Sequence, residues 1–224
     1  MHDSRTDGSF LLHHFISTWL KGQKNIVLLG LSQSLGHYAS ACQKLGVNLQ
    51  VFKEQGQFIY IDGLNILYNG FKSGASANPF SPKDICALLF ERLQGLSNNP
   101  TLVVIDDLTV FLNIGCSLSD IADTLQFLSA LSTQSNCSLL ALTHFDEDTD
   151  DTELKRVCKN LKHHASLELQ VKALATGYSK DLHGELIVTR LNSSQTIPER
   201  KRLHFKVLDK DMKLFAPGTS SAVL

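Results

Sequence analysis

Three short runs, Asn25–Gly30 (NIVLLG), Leu102–Ile105 (LVVI) and Ser138–Thr143 (SLLALT), are almost wholly aliphatic, and segments of helical period separate them. A run of four to eight apolar residues without polar alternation is the pattern of a strand buried on both faces. Strands of that kind, alternating with helices, make a βαβ rhythm and predict a parallel sheet flanked by helices. The 224 residues suffice to bury a real core, and 43% hydrophobic against 19% charged residues exclude a disordered tail, a coiled coil or a low-complexity polymer. We expect a single domain over 1–224, with a parallel α/β core in 1–165 and a mainly antiparallel extension in 166–224.

The helical segments are legible from apolar spacing and caps. Phe10–Lys21 sets Leu12, Phe15, Ile16, Trp19 and Leu20 on one face, and Leu35–Leu45 is closed by Gly46. Ser81-Pro82-Lys83-Asp84 combines a cap, a proline at the first helical position and an early acid, ahead of Ile85, Leu88, Leu89 and Leu93. Ser117–Asp120 caps a further helix with Leu118, Ile121, Ala122, Leu125 and Leu128 inward. Leu49–Phe52 and Gln57–Ile61 read as strands. Asp62–Ser81, rich in Gly, Ser and Asn, reads as a long loop. From Leu167 onward, Leu167–Leu174, Gly184–Arg190, Leu203–Leu208 and Met212–Ala216 alternate and predict antiparallel strands.

Charge and cysteine usage bound the partners. A formal net charge of -1 leaves no global basic field, so any nucleic-acid contact must be local or shared with other chains. Cys42, Cys86, Cys116, Cys137 and Cys158 form no C-x-x-C pair, which points to reduced thiols in the cytosol or nucleus. No run approaches the ~20 residues of a membrane helix, and the polar start Met1-His2-Asp3-Ser4-Arg5 has no secretory character. We therefore expect no membrane association.

The run ending in Asp106-Asp107 delivers carboxylates at the C-terminal end of a strand, where nucleotide-binding α/β folds place the acid that holds magnesium. Acids at a strand exit are also common in any α/β protein, so the run needs a partner motif. The partner would be a phosphate loop, G-x-x-x-x-G-K-[ST], before the first helix. Aligning Gly8 with its second glycine puts Asp3 at the first glycine, Ser9 at the lysine and Phe10 at the magnesium-binding hydroxyl. Each lost charge-assisted hydrogen bond costs a triphosphate about 1.5–3 kcal/mol. His144 is followed by six acids between Asp146 and Glu153, which we read as an exposed loop without a metal. His13-His14 and His163-His164 are adjacent pairs, the wrong spacing for joint ligation.

Leu154–His164 reads as a short amphipathic helix with a basic stripe of Lys155, Arg156, Lys159 and Lys162; Arg200, Lys201 and Arg202 form a second patch. Either is a solvated face or a phosphate-tracking surface. Neither carries interleaved aromatics for base stacking.

Five blocks together carry a resemblance: TDGSFLLHHF (Thr6–Phe15), QKLGV (Gln43–Val47), VVIDDL (Val103–Leu108), LATGYSKDLHGEL (Leu174–Leu186) and FAPGTSSAVL (Phe215–Leu224). In order and over nearly the whole chain, they resemble the subunit-six family of the Elongator complex. That resemblance implies a RecA-like fold and a non-catalytic role with no cofactor. It implies a heterohexameric ring with subunits four and five, two copies of each, within a complex that also holds subunits one to three. Such a ring binds transfer RNA for wobble-uridine modification, and the chemistry belongs to subunit three. Gly8 and Ser9 then correspond to a remnant phosphate loop and Asp106 to a remnant acidic strand end. A cytoplasmic and nuclear location follows from the same resemblance. The family carries a strand before the loop, whereas only Met1–Arg5 precede it here, so the sheet is expected to show an exposed inner edge. Two other readings compete: an independent RecA-like ATPase using Asp106 with a nonstandard phosphate loop, and an adaptor that binds protein only.

Overall fold

The computed structural model describes residues 1–4, 6–72, 82–96, 99–134, 136–146, 150–174, 177, 179, 181–191 and 199–218. Four parallel strands form one sheet: β2 (Asn25–Gly30), β3 (Phe58–Asp62), β4 (Thr101–Asp106) and β5 (Cys137–Ala141), in the order β3-β2-β4-β5. Every residue of β2 and β4 is buried, as their aliphatic composition requires. A second sheet runs β10-β9-β8-β7-β1-β6. It contains β1 (His2–Ser4), β6 (Thr143–His144), β7 (Leu167–Lys172), β8 (Gly184–Arg190), β9 (Glu199–Val207) and β10 (Met212–Phe215). Strand β1 lies parallel to β6 and β7, and the outer strands are antiparallel. Only Leu142 separates β5 from β6, and its amide donates to the carbonyl of Ile105, so one strand line joins the two sheets.

Helices cover both faces. On one side α1 (Ser9–Lys21), α2 (Leu35–Lys44) and α3 (Leu49–Glu54) bury Leu12, Ile16, Tyr38, Cys42 and Leu49 against Ile26, Leu28 and Val104. On the other, α4 (Gly63–Lys72), α5 (Pro82–Gln94), α6 (Thr109–Asn113), α7 (Leu118–Gln134) and α8 (Thr152–His164) pack over Val27, Leu29, Val103 and Ile105. Burial of this apolar area is the main term favouring the fold.

Three expectations are corrected. Leu49–Phe52 is helical: the Asn48 side chain accepts the Gln50 amide at 3.0 Å, and this cap starts α3 where apolar content alone suggested a strand. Asp62–Ser81 is not all loop. The Asp62 carboxylate accepts the Asn65 amide at 2.9 Å and α4 follows with Leu67 buried; residues 73–81, including the Ser81 cap, lie outside the described residues. The strand before the phosphate-loop position is present as β1. Three residues suffice because His2 and Asp3 are held by both neighbours, β6 and β7, and Ser4 by β7.

Candidate functional site

The turn between β1 and α1 occupies the phosphate-loop position of the fold, and its amides already have partners. Gly8 N–H donates to Asp3 Oδ2 at 2.7 Å, and Ser9 N–H donates to Asp7 Oδ1 at 2.8 Å, with Ser9 Oγ donating to Asp7 Oδ2 at 2.9 Å. A helix N-terminus attracts anions because its first amides are unpaired and its dipole is positive there. Here two carboxylates of the same chain take that role. The turn is also tight: a Cβ on Gly8 would lie 3.2 Å from Asp3 Cβ and 3.3 Å from Val171 Cγ2.

Asp3 is 4% exposed, and its second neighbour is His144 at the end of β6. The His144 Nδ1 atom lies 2.8 and 3.0 Å from the two Asp3 oxygens, and Nε2 lies 3.5 Å from Asp107 Oδ2. The hydrogen bond to Asp3, aided by the charges of Asp3, Asp107 and Asp106 against the opposing effect of burial, pushes the imidazole up to about 9. It is an imidazolium at neutral pH, a built-in cation among three carboxylates. Sequence reading grouped His144 with the acids that follow it; the fold turns it instead towards Asp3, Asp106 and Asp107, which come from other strands.

Asp106 is 1% exposed at the end of β4. Tyr38 Oη donates to its Oδ2 at 2.6 Å and Ser32 Oγ to its Oδ1 at 3.1 Å. Burial raises its carboxyl above the usual range, and those two hydrogen bonds oppose the rise. The Asp106–Asp107 peptide is cis. Asp107 Oδ1 accepts the amides of Thr109 and Val110 and so caps α6. Ligand atoms of Asp106, Asp107 and His144 lie within 4.8 Å of one another, which is metal-ligand spacing.

The basic candidates divide. Lys155, Arg156 and Lys159 are exposed along α8, whose first turn is capped by Asp151. Lys162 is committed to structure: its Nζ lies 2.6 Å from Glu168 Oε1, which also meets His2 Nε2 at 2.8 Å. The His2 hydrogen bond chiefly, with Lys162 second among the favourable contacts, holds Glu168 down at about 2. Strand register puts His2, Gln170, Ile187 and Arg202 side by side on one sheet face, and α8 crosses that face through the Lys162–Glu168 pair. Arg200 shares that face by alternation, whereas Lys201 points to the α1 side with Leu203 and Phe205. Sequence reading places Asp3 at the first glycine of the loop and Asp7 beside Gly8, acids that a triphosphate would meet, whereas Tyr38 and Ser32 escape it as site residues. Their signal is tertiary, because each faces a partner from a different segment.

The fold compares with a KaiC-like protein from Pyrococcus horikoshii at a TM-score of 0.66 and 11% identity, covering 96% of this chain and 87% of that one. It is a RecA-type α/β fold. The chain is 34% identical to Elongator complex protein 6 of Danio rerio over 241 residues, covering 100% of this chain and 91% of that protein. It is 32% identical to the Xenopus laevis protein of the same name and 30% identical to the human one, covering 99% of this chain and 91% of the relative in each case. The model of the family described as Elongation complex protein 6 matches residues 1–209. A likeness spread over the whole α/β scaffold, rather than over one motif, makes this chain a member of the Elongation complex protein 6 family.

Proposed function

We propose that this chain is a non-catalytic subunit of the Elongator complex that forms a RecA-like heterohexameric ring with subunits four and five. The ring associates with subunits one to three, binds transfer RNA, and supports modification of the wobble uridine U34 in cytoplasm and nucleus. The observation that carries this reading is that the groups positioned to hold a magnesium nucleotide are each held by another group of the chain. A triphosphate would have to displace Asp3 and Asp7 from the amides of Gly8 and Ser9, and Ser9 stands where the phosphate-binding lysine is needed. A magnesium ion would have to displace the proton of His144 and compete with Tyr38 and Ser32 for Asp106. These residues do not fit a magnesium nucleotide.

Phosphate contacts fall instead to the exposed Lys155, Arg156 and Lys159 of α8 and to Arg200 and Arg202, which share one side of the mixed sheet. A near-neutral subunit contributes such a local patch to a composite surface better than it binds RNA alone. Co-expression with subunits four and five, followed by native mass measurement, tests the assembly; we expect six subunits in the particle and transfer RNA binding by the ring. A stable monomer that ignores both subunits would overturn the reading. So would ATP turnover by the isolated chain that disappears in Asp106→Ala.

A further inference from the structure

Asp106, Asp107 and His144 reach one point from different parts of the fold, the two acids at the exit of β4 and the imidazole at the end of β6. One ligand atom from each lies within 4.8 Å of the other two. His144 Nε2 and Asp107 Oδ2 are 3.5 Å apart. Oppositely charged groups in direct contact close to about 2.7–2.9 Å, as His144 Nδ1 does with Asp3 at 2.8 Å. Nε2 and Oδ2 stop short of that distance. Their separation is instead the span of two ligands on one ion: around zinc, with bonds of about 2.0–2.1 Å, tetrahedral ligand atoms stand about 3.4 Å apart.

Each of the three is aimed by partners outside the trio. Asp3 holds His144 Nδ1 and leaves Nε2 directed at the common point, the arrangement in which a carboxylate orients a metal-binding histidine. The amides of Thr109 and Val110 hold Asp107 Oδ1. Its Oδ2 accepts no hydrogen bond among the described residues, although the side chain is only 7% exposed. A buried carboxylate oxygen without a donor is costly, and here it points to where a cation is missing. Tyr38 and Ser32 each donate to one oxygen of Asp106, and a carboxylate oxygen keeps a second lone pair for an ion. The His144 side chain is 46% exposed, which leaves one side open for entry and for a water.

We propose that His144 Nε2, Asp107 Oδ2 and a carboxylate oxygen of Asp106 bind one zinc-class divalent ion, with water in the fourth position. Magnesium prefers six oxygens in near-octahedral array and keeps its waters, whereas imidazole is a ligand that suits zinc. The features that bar a magnesium nucleotide therefore admit this ion. Without it the imidazolium supplies the positive charge between the acids; on binding, the Nε2 proton leaves to solvent. The ion ties the end of β4 to the end of β6. All three ligands come from one chain, so the site does not depend on ring assembly.

Zinc chloride titrated into the whole chain by calorimetry should show one such site, and the melting temperature should rise with zinc concentration. Magnesium chloride at the same concentrations should leave it unchanged. Zinc-edge X-ray absorption should show one imidazole among oxygen ligands and no sulfur, which separates this site from the five free cysteines. His144→Gln and Asp107→Asn, the second keeping an oxygen for the α6 cap, should each weaken binding at least tenfold with the parental circular dichroism spectrum. His163→Gln, on the exposed end of α8, should leave the affinity unchanged. If a variant does not fold, the absorption spectrum of the parent decides. No zinc binding, sulfur in the ligand shell, an equal response to magnesium, undiminished affinity in either site variant, or loss of binding in His163→Gln would each overturn the proposal.

Discussion

The imidazole of His144 lies 2.8 Å from a carboxylate oxygen of Asp3, across 141 residues of sequence, and the same carboxylate accepts the amide of Gly8. The pairing ties the end of β6 to the strand and turn at the phosphate-loop position. A cation and an anion that belong to the protein thus occupy the place where the fold class puts a metal and a phosphate.

The pH dependence of stability follows from that pair. His144 has its affinity for a proton raised by folding, so its contribution is complete below about pH 6.5 and is lost as pH rises through about 9. With the side chain 46% exposed, solvent screening limits the effect to about 1–2 kcal/mol. His144→Gln should flatten the fall in melting temperature between pH 7 and 9.5. The Met1 amine, lowered to about 6 by burial, acts with the opposite sign between pH 6 and 8, so the variant must be compared with the parent at each pH. Identical pH profiles for the two proteins would refute the assignment.

Tyr38→Phe removes the hydroxyl that donates to Asp106 and leaves a buried carboxylate with Ser32 as its remaining side-chain donor among the described residues. The expected cost is about 1–3 kcal/mol, the penalty of an unsatisfied buried acceptor. Urea denaturation should show a lower midpoint with an unchanged slope.

Glu168 bridges β1 and α8 through His2 and Lys162, and its carboxyl is 13% exposed. Folding lowers its pKa to about 2, so its stabilisation is present above about pH 4.5 and fades as pH falls towards 2. Glu168→Gln should cost about 2–3 kcal/mol at pH 7 and much less at pH 3, measured by thermal melts at both values.

Gly184 admits no side chain. An added Cβ would press on the carbonyl of Lys172 and come within 2.7 and 2.8 Å of the Phe205 ring. Because one neighbour is backbone, Gly184→Ala should destabilise by about 2–3 kcal/mol and displace β8 from β7. A melting temperature within a degree of the parent would contradict this.

If the proposed ring binds transfer RNA through α8, its affinity should fall after Lys155→Glu, Arg156→Glu and Lys159→Glu. The slope of log affinity against log salt should shrink by about one for each phosphate that is no longer neutralised. Lys162→Glu should instead lower stability through Glu168. Unchanged RNA affinity in the triple variant, measured by titration across salt concentrations, would favour an adaptor that binds protein only.

Aliphatic strands, caps and helical periodicity were legible in the amino-acid sequence because each depends on neighbours a few residues away. Asn25–Gly30 appears in the fold as read, Leu102–Ile105 forms the interior of β4, and the helix starts at Pro82 and Leu118 are as read. The same local signals misled where capping outweighed composition, as at Asn48 and Asp62. The absent phosphate-loop lysine was also visible, since Ser9 follows Gly8 directly. What fills the site was not. Asp3, Asp106, Asp107 and His144 meet only because β1, β4 and β6 end at one edge of the sheets, and no periodicity encodes which strand ends converge. Lys162 shows the same limit: its spacing matches Lys155 and Lys159, yet a carboxylate on β7 claims it. Spacing along a chain sets which face of an element a residue takes, and only the packing of elements decides what that face meets.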